Sequence, residues 1–190
     1  MAERKVAGLL EAGARVKVIA PEVTEELSRL AEEGRIELEL RPYRRGDLRG
    51  AFLVIAATDD PQVQEAVFAE AEEERIFCNV VDRPALCSFI VPSVVKRGRL
   101  QLAISTSGAS PALARRLREQ LEEQFGPEYE EYLELMARWR QEILARGLSE
   151  EEKRQIFNQL VLAPIPLWLK RGERAYLEAL ARSLGLSLEE

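Results

Sequence analysis

Asp82 closes the apolar run Cys78-Asn79-Val80-Val81 and is followed at once by Arg83-Pro84. A carboxylate at a strand end stands where open α/β sheets hold ligands, and it can take a proton from a substrate or steer a cation. Further along, Ser105-Thr106-Ser107-Gly108-Ala109-Ser110-Pro111 opens a helix that carries Arg115, Arg116 and Arg118. Hydroxyls and backbone N–H groups at such a helix start are donors for anionic groups. Lys96, Arg97 and Arg99 precede the loop and add positive charge. Two further strand ends have ligand-binding character. Ile55-Ala56-Ala57-Thr58 offers small residues, against which a ligand can lie close, and a hydroxyl. Ala20-Pro21-Glu22 offers an acid suited to ribose hydroxyls. Each also has a plain structural use: Asp82 as a turn former, Ser110 and Pro111 as N-cap and first helical residue, the basic side chains as a solvated face.

The elements that must position these groups alternate. Residues 2–12 read as a helix with Val6, Leu9 and Leu10 on one face and Gly13 as its stop. Residues 14–20 read as a strand, 23–33 as a helix stopped by Gly34, and 35–40 as a strand with one wet face. Residues 51–58 are a buried strand. Asp60-Pro61 then starts a helix to about residue 74, and 76–81 form another buried strand. Strands alternating with helices give right-handed βαβ units and a mostly parallel sheet, an α/β fold. The pattern changes after Asp82. Residues 88–108 read as two strands joined by a turn at Lys96–Arg99. Helices follow at 110–124, 127–146, 149–160 and 171–184, broken at Gly126-Pro127, Gly147 and Pro164-Ile165-Pro166. Tyr129, Tyr132, Met136, Trp139, Ile143, Phe157 and Trp168 have the helical spacing of core or subunit-contact residues.

The 190 residues carry 27 Lys and Arg against 33 Asp and Glu, a net charge of −6, which argues against a nucleic-acid partner. No apolar run approaches the roughly 20 residues needed to span a bilayer, and no secretory signal pattern opens the chain, so a cytoplasmic protein is expected. Cys78 and Cys87 are too few for a disulfide framework and lack zinc-type spacing. With no histidine, proton or metal chemistry falls to carboxylates, hydroxyls and thiols, and no bound metal site is expected.

The wording Cys78-Asn79-Val80-Val81-Asp82, together with Ser105-Thr106-Ser107-Gly108-Ala109-Ser110-Pro111-Ala112-Leu113-Ala114-Arg115-Arg116-Leu117-Arg118, resembles the precorrin-2 dehydrogenase/sirohydrochlorin ferrochelatase family, which includes the N-terminal half of siroheme synthase. The resemblance covers essentially residues 1–125 and fades in the C-terminal helices. It implies a Rossmann-like NAD-binding domain over 1–82, a strand-pair region for dimerisation and substrate over 83–111, and a helical C-terminal domain over 112–190. It further implies oxidation of precorrin-2 to sirohydrochlorin, with iron insertion as a second reaction of the family in which Fe²⁺ is a substrate. Asp82 takes the place of the family's catalytic aspartate. Pro21, Glu22, Ala56, Ala57, Thr58, Asn79, Val80 and Val81 fall where the family binds NAD. Ser105, Thr106, Ser107, Gly108 and Ser110, with Lys96, Arg115 and Arg116, fall where it holds the tetrapyrrole carboxylates. A homodimer interlocked through 83–110 is implied as well.

Met1-Ala2-Glu3-Arg4-Lys5 matches the family just after its glycine-rich loop. The expectation is therefore that one central strand and that loop precede residue 1 in the family pattern, through a late start or a truncation. The rival reading is a tetrapyrrole-binding or scaffold protein without cofactor or catalysis.

Overall fold

The computed structural model describes residues 1–188, so residues 189 and 190 of the expected helical domain lie outside it. The chain divides into two compact units, Met1–Val91 and the residues from Pro92 onward.

The first unit alternates as the sequence predicts. Helix α1 (Ala2–Glu11) leads to β1 (Lys17–Ala20), α2 (Glu25–Glu32), β2 (Glu37–Leu40), β3 (Leu53–Ala56), α3 (Pro61–Glu74) and β4 (Phe77–Val80). Strands β1 and β2 pair in parallel, Val18 opposite Leu38, and β3 and β4 pair in parallel, Ile55 opposite Asn79. The expected single sheet is thus present as two parallel pairs, each with its own apolar cluster. Val6, Leu27, Leu30 and Ile36 pack around the first pair. Leu48, Ala56, Val67, Ala71, Ile76, Cys78 and Val80 pack around the second. Gly13 ends α1's turn at a φ of 75°, a left-handed conformation that costs a glycine little.

Helix α3 is set by its first residues. The Asp60 carboxylate accepts from the N–H groups of Gln62 (2.8 Å) and Val63 (3.4 Å), and Pro61 takes the first helical position. Its buried face is mixed: Val67 and Ala71 are apolar, while Gln64 and Glu70 are polar.

The second unit begins with an antiparallel pair, β5 (Ser93–Arg97) and β6 (Leu100–Ile104), turning at Gly98. Five helices follow: α4 (Pro111–Gln124), α5 (Glu128–Ala145), α6 (Glu150–Leu162), α7 (Ile165–Arg171) and α8 (Arg174–Ser183). Helix α7 occupies the stretch expected to be a break. Pro166 sits in the first turn, where a missing N–H costs nothing, so the proline starts a helix instead of preventing one. The core here is Leu135, Trp139, Ile143, Leu160, Ile165, Leu177, Ala181 and Leu186, with Tyr132, Met136, Phe157 and Trp168 packed against it. The buried Trp139 indole N–H donates to the Ser187 carbonyl at 2.7 Å. No helix among the described residues is long and apolar enough to cross a membrane.

Glu70 anchors the connection from β2 to β3. Its carboxylate, 3% exposed, accepts from the Tyr43 hydroxyl and from the N–H groups of Gly46 and Leu48, both at 3.0 Å. The same loop is clamped by Arg41, whose guanidinium grips Asp47 bidentately at 2.7 and 2.8 Å. Burial pushes the Glu70 carboxyl up, but the bonds from Tyr43, Gly46 and Leu48 outweigh it and hold the group below its ordinary value. The Arg41 guanidinium holds Asp47 down to about 2. Both carboxyls are more acidic folded than unfolded. Their contribution is full above the ordinary values of 4.5 and 3.8 and fades as the pH falls toward about 2. Glu70→Ala takes the acceptor from the buried Leu48 N–H and from the half-buried Gly46 N–H and Tyr43 hydroxyl, and is expected to cost about 2–3 kcal/mol. Urea unfolding checks this. The midpoint should hold from pH 7 to 5 and fall in acid, and the variant should start lower and fall less steeply.

Candidate active site at the carboxyl ends of β3 and β4

Strand β4 has a partner on one side only. Its other edge is satisfied by the chain that leaves it. Val80 accepts from the Arg83 N–H at 3.2 Å, closing a turn whose third residue is Asp82. The chain then makes a 3-10 turn at Pro84–Leu86 and runs back along β4. Ser88 N–H donates to the Cys78 carbonyl and Cys78 N–H donates to Ser88 Oγ, both at 2.8 Å. The Cys87 thiol lies 3.3 Å from Val80 N and 3.2 Å from Val80 O, so sulfur fills the place of a ladder partner. Asn79 is buried, and its amide donates to the Phe89 carbonyl at 3.0 Å.

This reversal puts Asp82 in the left-handed region, at a φ of 60°. A positive φ at the third position of a β-turn is the type II pattern. Glycine or asparagine usually holds that place, and aspartate tolerates it better than most residues. Asp82 is exposed at the rim of a cleft of about 290 Å³. The cleft is lined by Met1, Ala57, Thr58, Asp59, Pro61, Gln64, Val81, Asp82 and Arg83. Among the described residues the Asp82 carboxylate takes part in no hydrogen bond or ion pair, while neighbouring polar groups are committed. Thr58 Oγ1 accepts from the Asp60 N–H at 3.3 Å, and the Thr58 carbonyl accepts from Gln64 Nε2 at 2.6 Å. A wider dip of about 580 Å³, between the starts of α1 and α2, is walled by Glu3, Glu25 and Glu26 with Arg29. Three carboxylates there make a poor seat for an anionic ligand.

Of the residues expected at the cofactor, Ala57, Thr58 and Val81 line the cleft with Asp82. Ala56 and Val80 are buried in the core beneath it. Asn79 is engaged at the outer edge of β4, and Pro21 and Glu22 are exposed just beyond β1. Those expected at the substrate lie in the second unit. There Ser107 N–H donates to Ser105 Oγ (3.1 Å) and Ser110 N–H to Thr106 Oγ1 (3.0 Å), which folds the loop on itself. Ser107 and Gly108 have φ values of 51° and 83°. Ser110 Oγ caps α4 by accepting from the Leu113 N–H at 3.3 Å. Arg115 pairs with Glu119 at 3.0 Å, Arg116 is exposed, and Lys96 is exposed on β5. No group of three or more carboxylates and thiols is placed to hold a metal ion among the described residues.

Two family models match: one described as putative NAD(P)-binding over residues 1–93, the other as the central part of a sirohaem biosynthesis protein over residues 97–124. The siroheme synthase of Pseudomonas entomophila is 39% identical over 184 residues, 97% of this chain and 40% of the relative. Siroheme synthase 3 of Aeromonas hydrophila is 40% identical over 185 residues, again 97% of this chain and 40% of the relative. The chain therefore spans about two-fifths of the length of these relatives. Among solved structures, the precorrin-2 dehydrogenase SirC superposes with a TM-score of 0.79 at 27% identity, covering 94% of this chain and 88% of that one. The chain belongs to the precorrin-2 dehydrogenase family. In this family member the cleft lies wholly within the part matched by the NAD(P)-binding model.

The pattern of the sequence did not single out Gln64, Arg83 or Asp59 as cleft residues. Gln64 looks like any polar residue of a first helical turn, and Arg83 like a turn residue after Asp82. The signal available was their spacing from the two strand ends, read across β3 and β4 together. Cys87 also had no assigned place. Cys87→Ala removes a donor and acceptor from the edge of β4 and is expected to lower stability by about 1–2 kcal/mol. Cys87→Ser should restore part of that loss. Equal urea midpoints for wild type and the alanine variant would show that the sulfur contacts contribute nothing.

Proposed function

We propose that the protein oxidises precorrin-2 to sirohydrochlorin with NAD⁺ as hydride acceptor. The observation that carries this reading is the Asp82 carboxylate, unpaired at the rim of a cleft at the carboxyl ends of two parallel strands. The names of the similar proteins, siroheme synthase and precorrin-2 dehydrogenase, support it. The residues present suit the cofactor. Ala57 and Val81 offer small and apolar surface for a flat ring, and Thr58 offers a hydroxyl. A volume near 290 Å³ sits at the low end of ligand sites and suits one ring system of a dinucleotide.

NAD⁺, when bound, supplies the hydride acceptor. The oxidation removes one hydride and one proton from the macrocycle, and Asp82 accepts the proton. The left-handed turn holds that carboxylate outward from the strand end, free of intramolecular bonds that would compete for its lone pairs. Ser105, Thr106, Ser107, Gly108 and Ser110, with Arg115, Arg116 and Lys96, bind substrate carboxylates. The Ser105 and Thr106 oxygens accept N–H groups of their own loop, and each hydroxyl keeps its O–H to donate. Iron insertion, with Fe²⁺ as substrate and Asp82 taking pyrrole protons, is the second reaction the same carboxylate could serve. The protein works as a homodimer built on residues 83–111. The exposed apolar residues Ile90, Val91 and Val94 in this stretch support that assembly.

Asp82→Asn keeps the turn and removes the charge, because asparagine tolerates the left-handed region. Precorrin-2 oxidation, followed by sirohydrochlorin absorbance, should fall by about 10²–10⁴. NAD⁺ should stabilise wild type and variant alike against heat, by roughly 2.7 kcal/mol at a hundredfold excess over Kd. Full activity in the variant removes Asp82 from the reaction. No stabilisation by NAD⁺ alongside tight sirohydrochlorin binding supports a carrier without cofactor. For the assembly, sedimentation equilibrium should give twice the chain mass, and a single-chain mass at all concentrations overturns the dimer.

A further inference from the structure

Gln64 is the buried polar residue in the wall of the Asp82 cleft, with 7% of its surface exposed. Its amide joins two strand ends. Nε2 donates to the Thr58 carbonyl at 2.6 Å, just past β3, and Oε1 accepts from Arg83 Nη1 at 3.4 Å, just past β4. Arg83 Nη2 also faces Glu65 at 3.5 Å. Both guanidinium contacts are long, and the ion pair is solvent-exposed and weak. Three of the five guanidinium N–H groups are left over for another partner. Among the described residues that line the cleft, Arg83 is the one with a cationic side chain, against the carboxylates of Asp59 and Asp82.

That balance matters for an anionic ligand. Without Arg83 a carboxylate entering beside Asp82 meets two acidic side chains and no basic one in the cleft wall. With Arg83 it meets a planar donor fork suited to bidentate carboxylate binding. We propose that Arg83, held by Gln64, binds a side-arm carboxylate of the tetrapyrrole and so sets the macrocycle against Asp82. The proposal rests on the dehydrogenase reading above and adds a specificity contact to it. Arg83 touches the substrate. Gln64 is a positioning residue that works through Arg83 and ties it to the Thr58 end of the cleft. A carboxylate side arm is the fitting anion because Arg83 follows Asp82 directly in the chain, and the proton-accepting group must lie against the substrate's ring.

The test measures sirohydrochlorin affinity by fluorescence and NAD⁺ affinity by titration calorimetry, with steady-state kinetics on precorrin-2. It uses wild type, Arg83→Ala, Arg83→Lys and Gln64→Leu. Arg83→Ala should raise KM for precorrin-2 and Kd for sirohydrochlorin by roughly tenfold to a hundredfold, with kcat reduced less than threefold. Arg83→Lys should recover part of the affinity, since it keeps the charge but not the fork. Gln64→Leu should weaken sirohydrochlorin binding by a smaller factor, in the same direction. NAD⁺ affinity should move less than twofold throughout. Unchanged tetrapyrrole affinity in Arg83→Ala overturns the contact. So does a loss confined to NAD⁺, which makes a cofactor phosphate the anion. A wild-type protein that binds no sirohydrochlorin brings down the dehydrogenase reading itself, and the contact with it.

Discussion

The free edge of β4 governs the arrangement of the first unit. A buried strand cannot leave a row of N–H and C=O groups without partners, because each one costs about as much as a lost hydrogen bond. The chain answers by turning back on itself and covering that edge with Cys87 and Ser88. A reversal so close to the strand forces a tight turn, and a tight turn forces one residue into the left-handed region. That residue is Asp82. The position of the carboxylate is therefore a consequence of closing the edge of the strand. The side chains that cover the edge belong to Cys87 and Ser88, five and six positions beyond Asp82.

Helix α3 supplies the other half of the arrangement, through polar residues on a buried face. Gln64 near its start bridges the two strand ends, and Glu70, almost two turns later, holds the loop between β2 and β3. Burying a polar side chain is unfavourable unless its bonds are made, and both are fully engaged. No buried side-chain nitrogen or oxygen lacks a partner among the described residues. One helix thus fixes both a structural loop and the cleft wall. Its hydrophobic packing through Val67 and Ala71 keeps the two polar anchors in register.

Most elements of the fold were legible because each carries a local mark. Asp60-Pro61 and Ser110-Pro111 announce helix starts, and both serine and aspartate oxygens do cap their helices. Gly13, Gly34, Gly98 and Gly147 announce turns, all at positive φ. Helix α3 ends at Glu74, where the sequence put it, although Arg75 takes the left-handed conformation with no glycine to mark it. Other marks were harder to read. Helix α7 opens through Pro164-Ile165-Pro166, which reads as a break because proline stops a helix interior yet suits a first turn. The candidate site divides the same way. Asp82 and Thr58 stand at strand ends visible in the apolar pattern. Asn79 belongs to the same pattern, but the structure uses its amide on the Phe89 carbonyl, a contact set by how the chain returns. Gln64 and Arg83 meet only when β3 and β4 lie side by side, a nonlocal fact that periodicity does not carry.

Among the described residues, three other than glycine adopt a positive φ: Arg75, Asp82 and Ser107. Such conformations cost of order 1 kcal/mol or more and cluster at functional sites, but strain alone is no sign of function. Arg75 makes the point, since its conformation only closes a helix: its N–H reaches back to Glu72 and the next N–H to Ala71. Ser107 is held by its neighbour, through the bond from its N–H to Ser105 Oγ. Asp82 differs in what its side chain does. The backbone on both sides is bonded, Val81 N–H to the Ala56 carbonyl and Arg83 N–H to the Val80 carbonyl, so the turn holds without help from the carboxylate. An aspartate in a turn commonly spends its oxygens on nearby N–H groups. Here they are left over, at the rim of a cleft whose lining also includes Arg83. A carboxylate needed only for the turn could be exchanged for glycine or asparagine without loss, and it is the unspent charge that distinguishes this position from the other two.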